Sequence, residues 1–379
     1  MRQKKVVIIG GGFAGIAAVA YLKKKRVDIR ITLIDKKRDH EFLPLLPDIV
    51  GRRITPIPVQ MSLQRRCDSS SCEFIQEEVI GIDESKQEIR TQNMLLPYDF
   101  CIVACGSESN FYGNRSFKHY ALTLDSVADA VALRNKIIAL SSYDRVIIVG
   151  GGYAGIEIAT HIRNVIGFSK KISLVDAQAV LFPALSPTIR TFIYRHLKTI
   201  SVDLFLNTSI KSIDHTSVVL SNNKHYTNSL LIWSAGVKTP DFLQTLACKK
   251  NRQGRLEVNE FLQISQTCFA AGDVVLIMKK RKEVRMGVQF ALSQGKLAAQ
   301  NIMRLINKKR LLSYKQKDLG FVIPIAQNKS CGVIFGRYIH GYLPTLLHYF
   351  MCLYRVSGFL PKCFLLRELL SDVKKLKRD

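Results

Sequence analysis

An α/β fold is predicted by three observations on this 379-residue chain. A short β-branched apolar run at residues 6–9 is followed by a G-x-G-x-x-G turn, as a buried parallel strand would be. The same pattern returns 140 residues further on, which indicates an internal duplication. Residues 342–379 combine apolar helical stripes with a basic end. The predicted architecture is two Rossmann-like dinucleotide-binding domains, one inserted in the other, plus a C-terminal amphipathic membrane-surface region.

The first copy spans residues 5–35 and contains every part of a dinucleotide fingerprint. Strand, glycine turn, helix and second strand follow in order and end on Asp35. Gly10 makes the tight turn, Gly12 lets the backbone approach a pyrophosphate, and Gly15 lets the helix pack on the strand. The helix N-terminus offers free N–H groups to phosphates, and Asp35 can accept hydrogen bonds from ribose hydroxyls. A purely structural glycine turn or a signal peptide explains these parts less well.

The second copy spans residues 144–176, with Gly150, Gly152, Gly155 and Asp176 in the matching positions. Two fingerprints in one chain indicate two dinucleotide sites. The simplest chemistry that needs two is hydride transfer between a nicotinamide and a bound flavin.

Two acidic side chains of the second copy bear on its ligand. A carboxylate at Asp176 would repel a 2′-phosphate, and Ala177 and Gln178 follow it without an arginine, which favours NADH over NADPH. Glu157 lies on the first turn of the second helix, where compensation of the helix dipole or a ribose contact is the plainer explanation.

Composition narrows the class of protein. With 47% apolar residues the chain is globular and long enough for two or three domains. Its formal charge of +26 makes an anionic surface a partner. No zinc, helix-turn-helix or aromatic-interleaved basic pattern appears in the sequence, so no nucleic acid is expected and anionic lipid is the favoured partner. A lysine-rich compositional bias without any anionic partner is the alternative explanation of the charge. No apolar run reaches the ~18 residues that a spanning helix needs, so at a membrane this chain would lie on the surface.

The nine cysteines include no C-x-x-C pair. This argues against a redox-active disulfide of the glutathione-reductase type. The odd count, with Cys101 and Cys105 in an apolar stretch, fits reduced thiols in a cytoplasmic setting.

The order of segments divides the chain into three parts. Residues 1–115 and 250–320 form the first dinucleotide domain, 116–249 the inserted second one, and 321–379 a C-terminal part. The predicted elements between the motifs are helices at 16–24, 126–140 and 287–305, two strands within 321–340, and small-residue exit turns that end 98–107 and 230–236.

Two further segments are assigned to ligand contacts. The proline-rich loop at 40–56 packs against a flavin ring, or is ordinary loop packing. Residues 254–275 return to the first domain and present Asp273, which can accept a hydrogen bond from a ribityl hydroxyl of FAD.

The C-terminal tail is predicted to be an interfacial amphipathic region. Two apolar stripes precede a basic end formed by Lys374, Lys375, Lys377 and Arg378. Anionic leaflets attract such ends by about 1 kcal/mol per charge. The alternative is a helix pair that caps the chain's own core or forms a homodimer contact.

Taken together, these segments resemble the type II NADH dehydrogenases. The segments in the family's order are VVIIGGGFAGIAAVAYL, FLPLLPDIVGRRITP, YDFCIVACGS, VIIVGGGYAGIEIATHI, LLIWSAGV, FAAGD and VQFALSQG, followed by the amphipathic tail. The resemblance implies non-covalent FAD and NADH as cofactors and a quinone as partner. It also implies a peripheral location on the cytoplasmic side of the inner membrane, in a respiratory chain.

The resemblance also implies roles for single residues. The catalytic group comprises Glu157 near the nicotinamide–flavin contact and the quinone-site glutamines Gln289 and Gln294. FAD contacts are implied for Gly10, Gly12, Phe13, Ala14, Gly15, Asp35, Lys36, Pro44, Leu45, Val79, Ala104, Cys105, Gly106, Gly272, Asp273, Gln289 and Phe290. NADH contacts are implied for Gly150, Gly152, Tyr153, Ala154, Gly155, Glu157, Asp176, Ala235 and Gly236. The chain departs from the family at Val288, Ser293 and Cys105, where alanine, glutamine and threonine are usual.

The implied activity is non-proton-pumping NADH:quinone oxidoreduction, in which NADH gives hydride to FAD and two electrons pass to a membrane quinone. One alternative is a sulfide:quinone oxidoreductase, which needs two cysteines beside the flavin, or another FAD and NAD(P)H oxidoreductase with a different acceptor. A non-catalytic flavoprotein is suggested by Val288 and Ser293. A nucleic-acid-binding protein would rest on charge alone.

Overall fold

The computed structural model describes residues 3–24, 29–51, 54–68, 72–139, 145–215, 217–279, 282–326 and 328–375. The chain divides into two compact units. The first comprises residues 1–40, 61–108 and 237–318, and the second comprises 41–60, 109–236 and 319–379. The domain boundaries predicted from the sequence, at residues 115, 249 and 320, stay a prediction.

The strands are short and are numbered in chain order. They are β1 (Lys4–Ile9), β2 (Ile29–Asp35), β3 (Asp39–Glu41), β4 (Gln60–Ser62), β5 (Cys72–Gln76), β6 (Val79–Asp83), β7 (Glu88–Thr91), β8 (Leu95–Pro97), β9 (Phe100–Val103), β10 (Glu108–Ser109), β11 (Arg145–Val149), β12 (Lys171–Val175), β13 (Val202–Phe205), β14 (Ile210–Ile213), β15 (Ser217–Leu220), β16 (His225–Thr227), β17 (Ser229–Trp233), β18 (Val237–Lys238), β19 (Leu256–Glu257), β20 (Cys268–Ala270), β21 (Val275–Leu276), β22 (Met278–Lys279), β23 (Lys282–Glu283), β24 (Gly320–Ile323), β25 (Ser330–Ile334) and β26 (Arg337–Gly341).

The α-helices are numbered in the same way. They are α1 (Phe13–Leu22), α2 (Leu46–Gly51), α3 (Leu63–Cys67), α4 (Arg115–Tyr120), α5 (Val127–Ile138), α6 (Tyr153–Ile166), α7 (Pro187–Thr199), α8 (Val288–Ile306), α9 (Tyr342–Arg355) and α10 (Phe359–Lys375).

The first unit is built on a parallel sheet in the order β20-β9-β1-β2-β5. Its inner strands β1 and β9 are buried and apolar over most of their length, as strands covered on both sides must be. Helices α1 and α8 cover one face, where Ile8, Leu33 and Ile302 are fully buried. The other face packs beside the antiparallel sheet β6-β7-β8, with Ile89 in its core. Strand β1 of this sheet ends at Ile9, where the glycine turn of the first fingerprint begins.

The second unit repeats this plan with a parallel sheet in the order β13-β12-β11-β17. The antiparallel sheet β14-β15-β16 supplies Val218 and Leu220 to the same core as Ile147 and Trp233. A further antiparallel sheet, β24-β25-β26, and helices α2, α9 and α10 complete the unit. The α/β fold with parallel sheets that the sequence predicts is thus confirmed.

The predicted helices at 16–24, 126–140 and 287–305 correspond to α1, α5 and α8. Helix α1 begins earlier than predicted, because the chain turns into it directly after Gly12, whose backbone is extended. Helix α5 begins after Ser126, whose side-chain oxygen accepts a hydrogen bond from the Asp129 N–H at 3.0 Å.

The segment 321–340 contains a third strand in addition to the two predicted. Phe335 and Gly336 both have positive φ, 49° and 79°, which is the backbone of a tight two-residue hairpin turn. This turn folds β26 back onto β25, pairing Ile334 with Arg337. Only Gly336 signals the turn in the sequence, since phenylalanine rarely adopts positive φ.

The two predicted apolar stripes of the tail lie on α9 and α10. Large apolar side chains on these helices are exposed, among them Phe350 at 60%, Phe359 at 80% and Leu360 at 66%. The predicted basic residues Lys377 and Arg378 lie outside the described residues. Among the helices that the structure describes, none has both the length and the apolarity to cross a membrane.

Candidate nucleotide-binding sites

The first fingerprint forms a tight turn between β1 and α1. Gly10 has φ +105°, and its N–H donates to the Ile34 carbonyl at 2.7 Å. A Cβ on Gly10 would lie 2.4 Å from the carbonyl oxygen of Ala104 in the exit turn after β9. Both the backbone conformation and the lack of space therefore require glycine here.

The other two glycines of this turn differ in what surrounds them. A Cβ on Gly15 would lie 1.8 Å from the Gly10 carbonyl oxygen, so α1 touches the turn at this point. A Cβ on Gly12 would meet no described atom within 4 Å. The backbone at Gly12 is thus open on the side where a pyrophosphate would approach the N-terminus of α1.

The carboxylate of Asp35 is held by two backbone donors. Oδ2 accepts from the Gly11 N–H at 2.6 Å, and Oδ1 accepts from the Lys37 N–H at 2.7 Å. These bonds fix the side chain at the end of β2 and leave its remaining lone pairs available to ribose hydroxyls. The neighbouring Lys36 forms an exposed ion pair with Glu78 at 3.1 Å.

Asp273 lies at a second turn of the first unit, after β20. Gly272 has φ +85°, and its N–H donates to Gln294 Oε1 at 2.8 Å. Ser107 donates its hydroxyl to Asp273 Oδ2 at 3.3 Å. Burial raises the pKa of Asp273, while the Ser107 hydrogen bond and the charge of Arg255 act in the opposite direction. A partly buried acceptor at this backbone turn fits a hydroxylated chain such as the ribityl group of FAD.

The other implied FAD contacts have different surroundings. The Phe13 ring packs edge-on against His40, with centroids 4.9 Å apart. Val79 and Phe290 are buried, and burial raises the pKa of the half-buried Cys105 thiol to about 12. Ala14 is buried on α1, and Gly106 has φ +69° in the exit turn after β9. Pro44 and Leu45 belong to a 3-10 helix of the second unit.

The second fingerprint reproduces this geometry in the second unit. Gly150 has φ +106°, and its N–H donates to the Val175 carbonyl at 2.8 Å. A Cβ on Gly155 would lie 1.8 Å from the Gly150 carbonyl oxygen, as at Gly15. A Cβ on Gly152 would again meet no described atom within 4 Å.

Asp176 is held as Asp35 is. Its Oδ2 accepts from the Gly151 N–H at 2.5 Å, and its Oδ1 accepts from the Gln178 N–H at 2.7 Å. The exit turn after β17 completes this second cradle, since Ser234 donates its hydroxyl to the Val149 carbonyl at 2.9 Å. The implied contacts beside it are Tyr153 and Ala154, exposed at the start of α6, and Ala235 and Gly236, which follow Ser234.

Glu157 lies just past the first turn of α6, which contains no acidic residue, so its predicted place on that first turn is wrong; its side chain is half-buried. Burial raises its pKa well above the usual value, and the nearby charge of Asp48 raises it further. The carboxyl is therefore neutral over a wider pH range than an exposed glutamate.

The two implied quinone-site glutamines have different environments in the first unit. Gln294 is 5% exposed, and its amide oxygen is used by the Gly272 N–H. Gln289 is half-buried, and its amide donates to Asp318 Oδ1 at 3.3 Å, an oxygen that also accepts from Arg285 at 2.7 Å.

Ser293 stands exposed on α8 between these glutamines. Its hydroxyl lies 3.1 Å from the Tyr314 hydroxyl. Tyr314 follows α8 in an irregular segment without periodicity, so no local pattern of the sequence indicated it.

The cysteines do not form disulfides. Cys101 and Cys268 lie opposite each other on β9 and β20, and burial raises the pKa of Cys101 well above its usual value. Such a thiol is a poor nucleophile, which weakens the sulfide-oxidising alternative.

The family model of the pyridine nucleotide-disulphide oxidoreductases matches residues 4–295. The chain belongs to this family. The predicted pyridine-nucleotide and flavin oxidoreductase is therefore confirmed as a class, and the assignment of the two matched cradles to its nucleotides stays a prediction. The family's name refers to a disulfide that this chain, without a C-x-x-C pair, does not offer.

Two curated relatives are named type II NADH:quinone oxidoreductase. The chain is 25% identical to the type II NADH:quinone oxidoreductase of Haemophilus influenzae, over 89% of this chain and 88% of the relative. It is 24% identical to that of Staphylococcus aureus, over 89% and 92%. The resemblance to the type II NADH dehydrogenases is thus confirmed.

Solved structures show the same fold. NDH2 from Plasmodium falciparum in complex with NADH superposes with a TM-score of 0.87 at 16% identity, over 97% of this chain and 98% of that one. The sulfide:quinone oxidoreductase from Aquifex aeolicus gives 0.78 at 18% identity, over 93% and 90%.

Proposed function

We propose that this protein is an FAD-dependent, non-proton-pumping NADH:quinone oxidoreductase. The observation that carries the proposal is the matched pair of carboxylates, Asp35 and Asp176, each clasped by two backbone N–H groups beside an open glycine turn. One chain thus has the parts to hold two dinucleotides at once. The names of the curated relatives support NADH as donor and quinone as acceptor.

The first cradle fits FAD. Gly10, Gly12 and Gly15 would leave room for the pyrophosphate, Asp35 would hold the adenosine ribose, and Asp273 would accept from the ribityl chain. When bound, FAD supplies a group that accepts a hydride and releases electrons to an acceptor. The protein contributes binding, orientation and a fixed electrostatic environment.

The second cradle fits NADH. Gly150, Gly152 and Gly155 would admit the pyrophosphate, and Asp176 would hold the adenosine ribose. A 2′-phosphate would bring negative charge against the same carboxylate, so NADPH should bind more weakly. Glu157 would stand near the nicotinamide end, as the resemblance implies.

The acceptor side is assigned to one face of α8. Gln289, held by Asp318, is proposed to contact the quinone. Gln294 is proposed to act through the Gly272 turn that it supports. Ser293 with Tyr314 offers two hydroxyls where a single glutamine amide is usual in the family.

Membrane-surface association is proposed for α9 and α10. Phe350, Phe359 and Leu360 are exposed on these helices, and the chain carries a formal charge of +26. An apolar helix face combined with positive charge favours an anionic bilayer, which fits the cytoplasmic face of an inner membrane.

The experiment that tests the function is anaerobic stopped-flow absorbance of the purified yellow protein. NADH should bleach the flavin absorbance, and a short-chain ubiquinone or menaquinone analogue should restore it rapidly. Bleaching without recovery would leave the nucleotide sites in place but reject quinone as acceptor. Bleaching by sulfide and not by NADH would favour the sulfide:quinone alternative, and no bleaching would favour a non-catalytic flavoprotein.

A further inference from the structure

Tyr112 combines a strained backbone with an exposed side chain at the edge of the second cradle. Its φ is +52°, in the left-handed region that a tyrosine rarely adopts. The residue is 68% exposed, although it is large and aromatic. Backbone strain of this kind persists only where surrounding contacts fix it, and it is concentrated at ligand-binding sites.

The contacts that fix this conformation come from Asn110, two positions earlier. Asn110 Oδ1 accepts from the Tyr112 N–H at 2.9 Å. The Asn110 N–H donates to the Gly236 carbonyl at 3.1 Å, and the Asn110 carbonyl accepts from the Trp233 indole N–H at 2.9 Å. Phe111 stacks on the same indole, with ring centroids 5.7 Å apart. The loop that carries Tyr112 is therefore bound to the end of β17 and to the exit turn that follows.

The Tyr112 hydroxyl lies over Gly236 in this exit turn. An ideal Cβ on Gly236 would be 2.5 Å from the hydroxyl oxygen, and Gly236 has φ +90°, so only glycine leaves room for the tyrosine. A phenol hydroxyl can both donate and accept a hydrogen bond. An exposed aromatic ring with a polar tip is thus presented at the exit turn of the second cradle.

The order of strands locates the second half of a bound dinucleotide. The parallel sheet runs β13-β12-β11-β17, and ligands of such sheets bind outside the carboxyl ends of the strands. Asp176, at the end of β12, would hold the adenosine ribose, and the glycine turn after β11 would hold the pyrophosphate. The exit turn after β17 touches this glycine turn, since a Cβ on Gly150 would lie 2.5 Å from the Ser234 carbonyl oxygen. The nicotinamide half then extends in the same direction, over the exit turn and against Tyr112.

We propose that Tyr112 is a substrate-contacting residue that holds the nicotinamide half of NADH in the second cradle. Its ring packs against the nicotinamide ribose, and its hydroxyl forms a hydrogen bond to a polar group of the same half. A tyrosine suits this ligand because it offers an apolar body and a polar tip. The proposal rests on the proposed function, since it takes the second cradle as the NADH site.

The test is calorimetric titration of the purified holoprotein, in which FAD fills the first cradle, with NAD⁺ and with ADP. NAD⁺ has both halves of the dinucleotide and does not reduce the flavin, whereas ADP has only the adenosine half. In Tyr112→Ala the Kd for NAD⁺ should rise about tenfold, while the Kd for ADP should stay within about twofold of wild type. An unchanged Kd for NAD⁺, or an equal rise for both ligands, would overturn the proposal.

Tyr112→Gly separates a ligand contact from a structural role. Glycine adopts φ +52° without strain, so this variant should melt at a higher temperature than Tyr112→Ala and still bind NAD⁺ as weakly. Wild-type affinity for NAD⁺ in Tyr112→Gly would overturn the proposal, whatever the melting temperature. Tyr194→Ala, which removes an exposed tyrosine on α7 of the same unit, is the matched control and should leave both Kd values unchanged.

These titrations require neither a quinone nor a reduced flavin, so their outcome is independent of the acceptor. If quinone reduction fails while Tyr112→Ala weakens NAD⁺ binding selectively, the proposed acceptor is wrong and the role of Tyr112 stands. If the wild type reduces a quinone with NADH but Tyr112→Ala binds NAD⁺ normally, only the role of Tyr112 is rejected. A wild-type holoprotein that binds neither NAD⁺ nor ADP would reject both the NADH site and this role.

Discussion

Gly295 of α8 lies against the carbonyl oxygen of Ala14 in α1, so closely that a Cβ at Gly295 would be 2.0 Å from that oxygen. Gly295 and Ala14 belong to α8 and α1, the two helices that cover one face of the sheet in the first unit. Neither backbone can move without shifting its helix.

Gly295→Ala is therefore expected to be destabilising, by about 1–3 kcal/mol as is usual for overpacking. Because α1 carries the first glycine turn, the variant should also lose FAD on gel filtration. Thermal unfolding and flavin content measure the two effects. Lys296→Ala, at an exposed neighbouring position of the same helix, should behave as wild type; equal loss in both variants would contradict this explanation.

Asp35→Ala and Asp176→Ala should affect the binding of different ligands, although each variant removes one carboxylate that accepts two backbone hydrogen bonds. Hydrogen bonds to a charged group contribute about 1.5–3 kcal/mol, so Asp176→Ala should raise the KM for NADH roughly tenfold to a hundredfold. It should also narrow the preference for NADH over NADPH, since the repelling charge is gone. Asp35→Ala should instead lower flavin content. The reverse pattern would exchange the assigned ligands.

Gln289→Ala and Gln294→Ala should differ in the step that they affect. Gln294→Ala leaves the Gly272 N–H without its acceptor, which costs about 1–3 kcal/mol and should weaken FAD retention. Gln289→Ala should leave flavin content and bleaching by NADH unchanged and slow reoxidation by quinone. Stopped-flow traces measure the rates of flavin bleaching by NADH and of reoxidation by quinone. Slowed bleaching in Gln289→Ala would contradict the assignment of Gln289 to the quinone side.

Glu157 is expected to make stability depend on pH. Its pKa is raised in the folded protein, so the folded state binds more protons than the unfolded state between the ordinary and the raised value. Its contribution is fully present below the ordinary glutamate pKa and is lost as pH rises through that window. Melting temperatures of Glu157→Gln should therefore fall less between pH 5 and 8 than those of wild type. Parallel curves for the two proteins would show that Glu157 does not titrate in this range.

Membrane binding should depend on the apolar residues exposed on α9 and α10. Burying a Phe or Leu side chain contributes about 1.5–3 kcal/mol, so Phe359→Ser with Leu360→Ser should reduce binding to anionic vesicles at least tenfold. Leu95→Ser, at a position that is 59% exposed in the first unit, is the matched control. Sedimentation with anionic vesicles at low and high salt measures the binding of each protein. Equal binding of the wild type, the double variant and Leu95→Ser would reject α9 and α10 as the membrane-binding surface.

Local features of the sequence determined the fold class and the outlines of both cradles. A glycine turn, the helix after it and an acid at the end of the next strand are set by neighbouring residues, because backbone conformation and strand order act over short distances. The same reasoning located Asp35 and Asp176, although not the backbone N–H groups that hold them.

Tertiary structure alone decided which side chains meet across the chain. Asp48 and Tyr349 are 301 positions apart, and no periodicity or motif relates them. Tyr314 reaches Ser293 from an irregular segment, and Gln294 supports Gly272 instead of standing free on α8. Such contacts depend on how helices pack on sheets, so burial and the resulting pKa of Glu157 follow from the folded structure and not from the residue type.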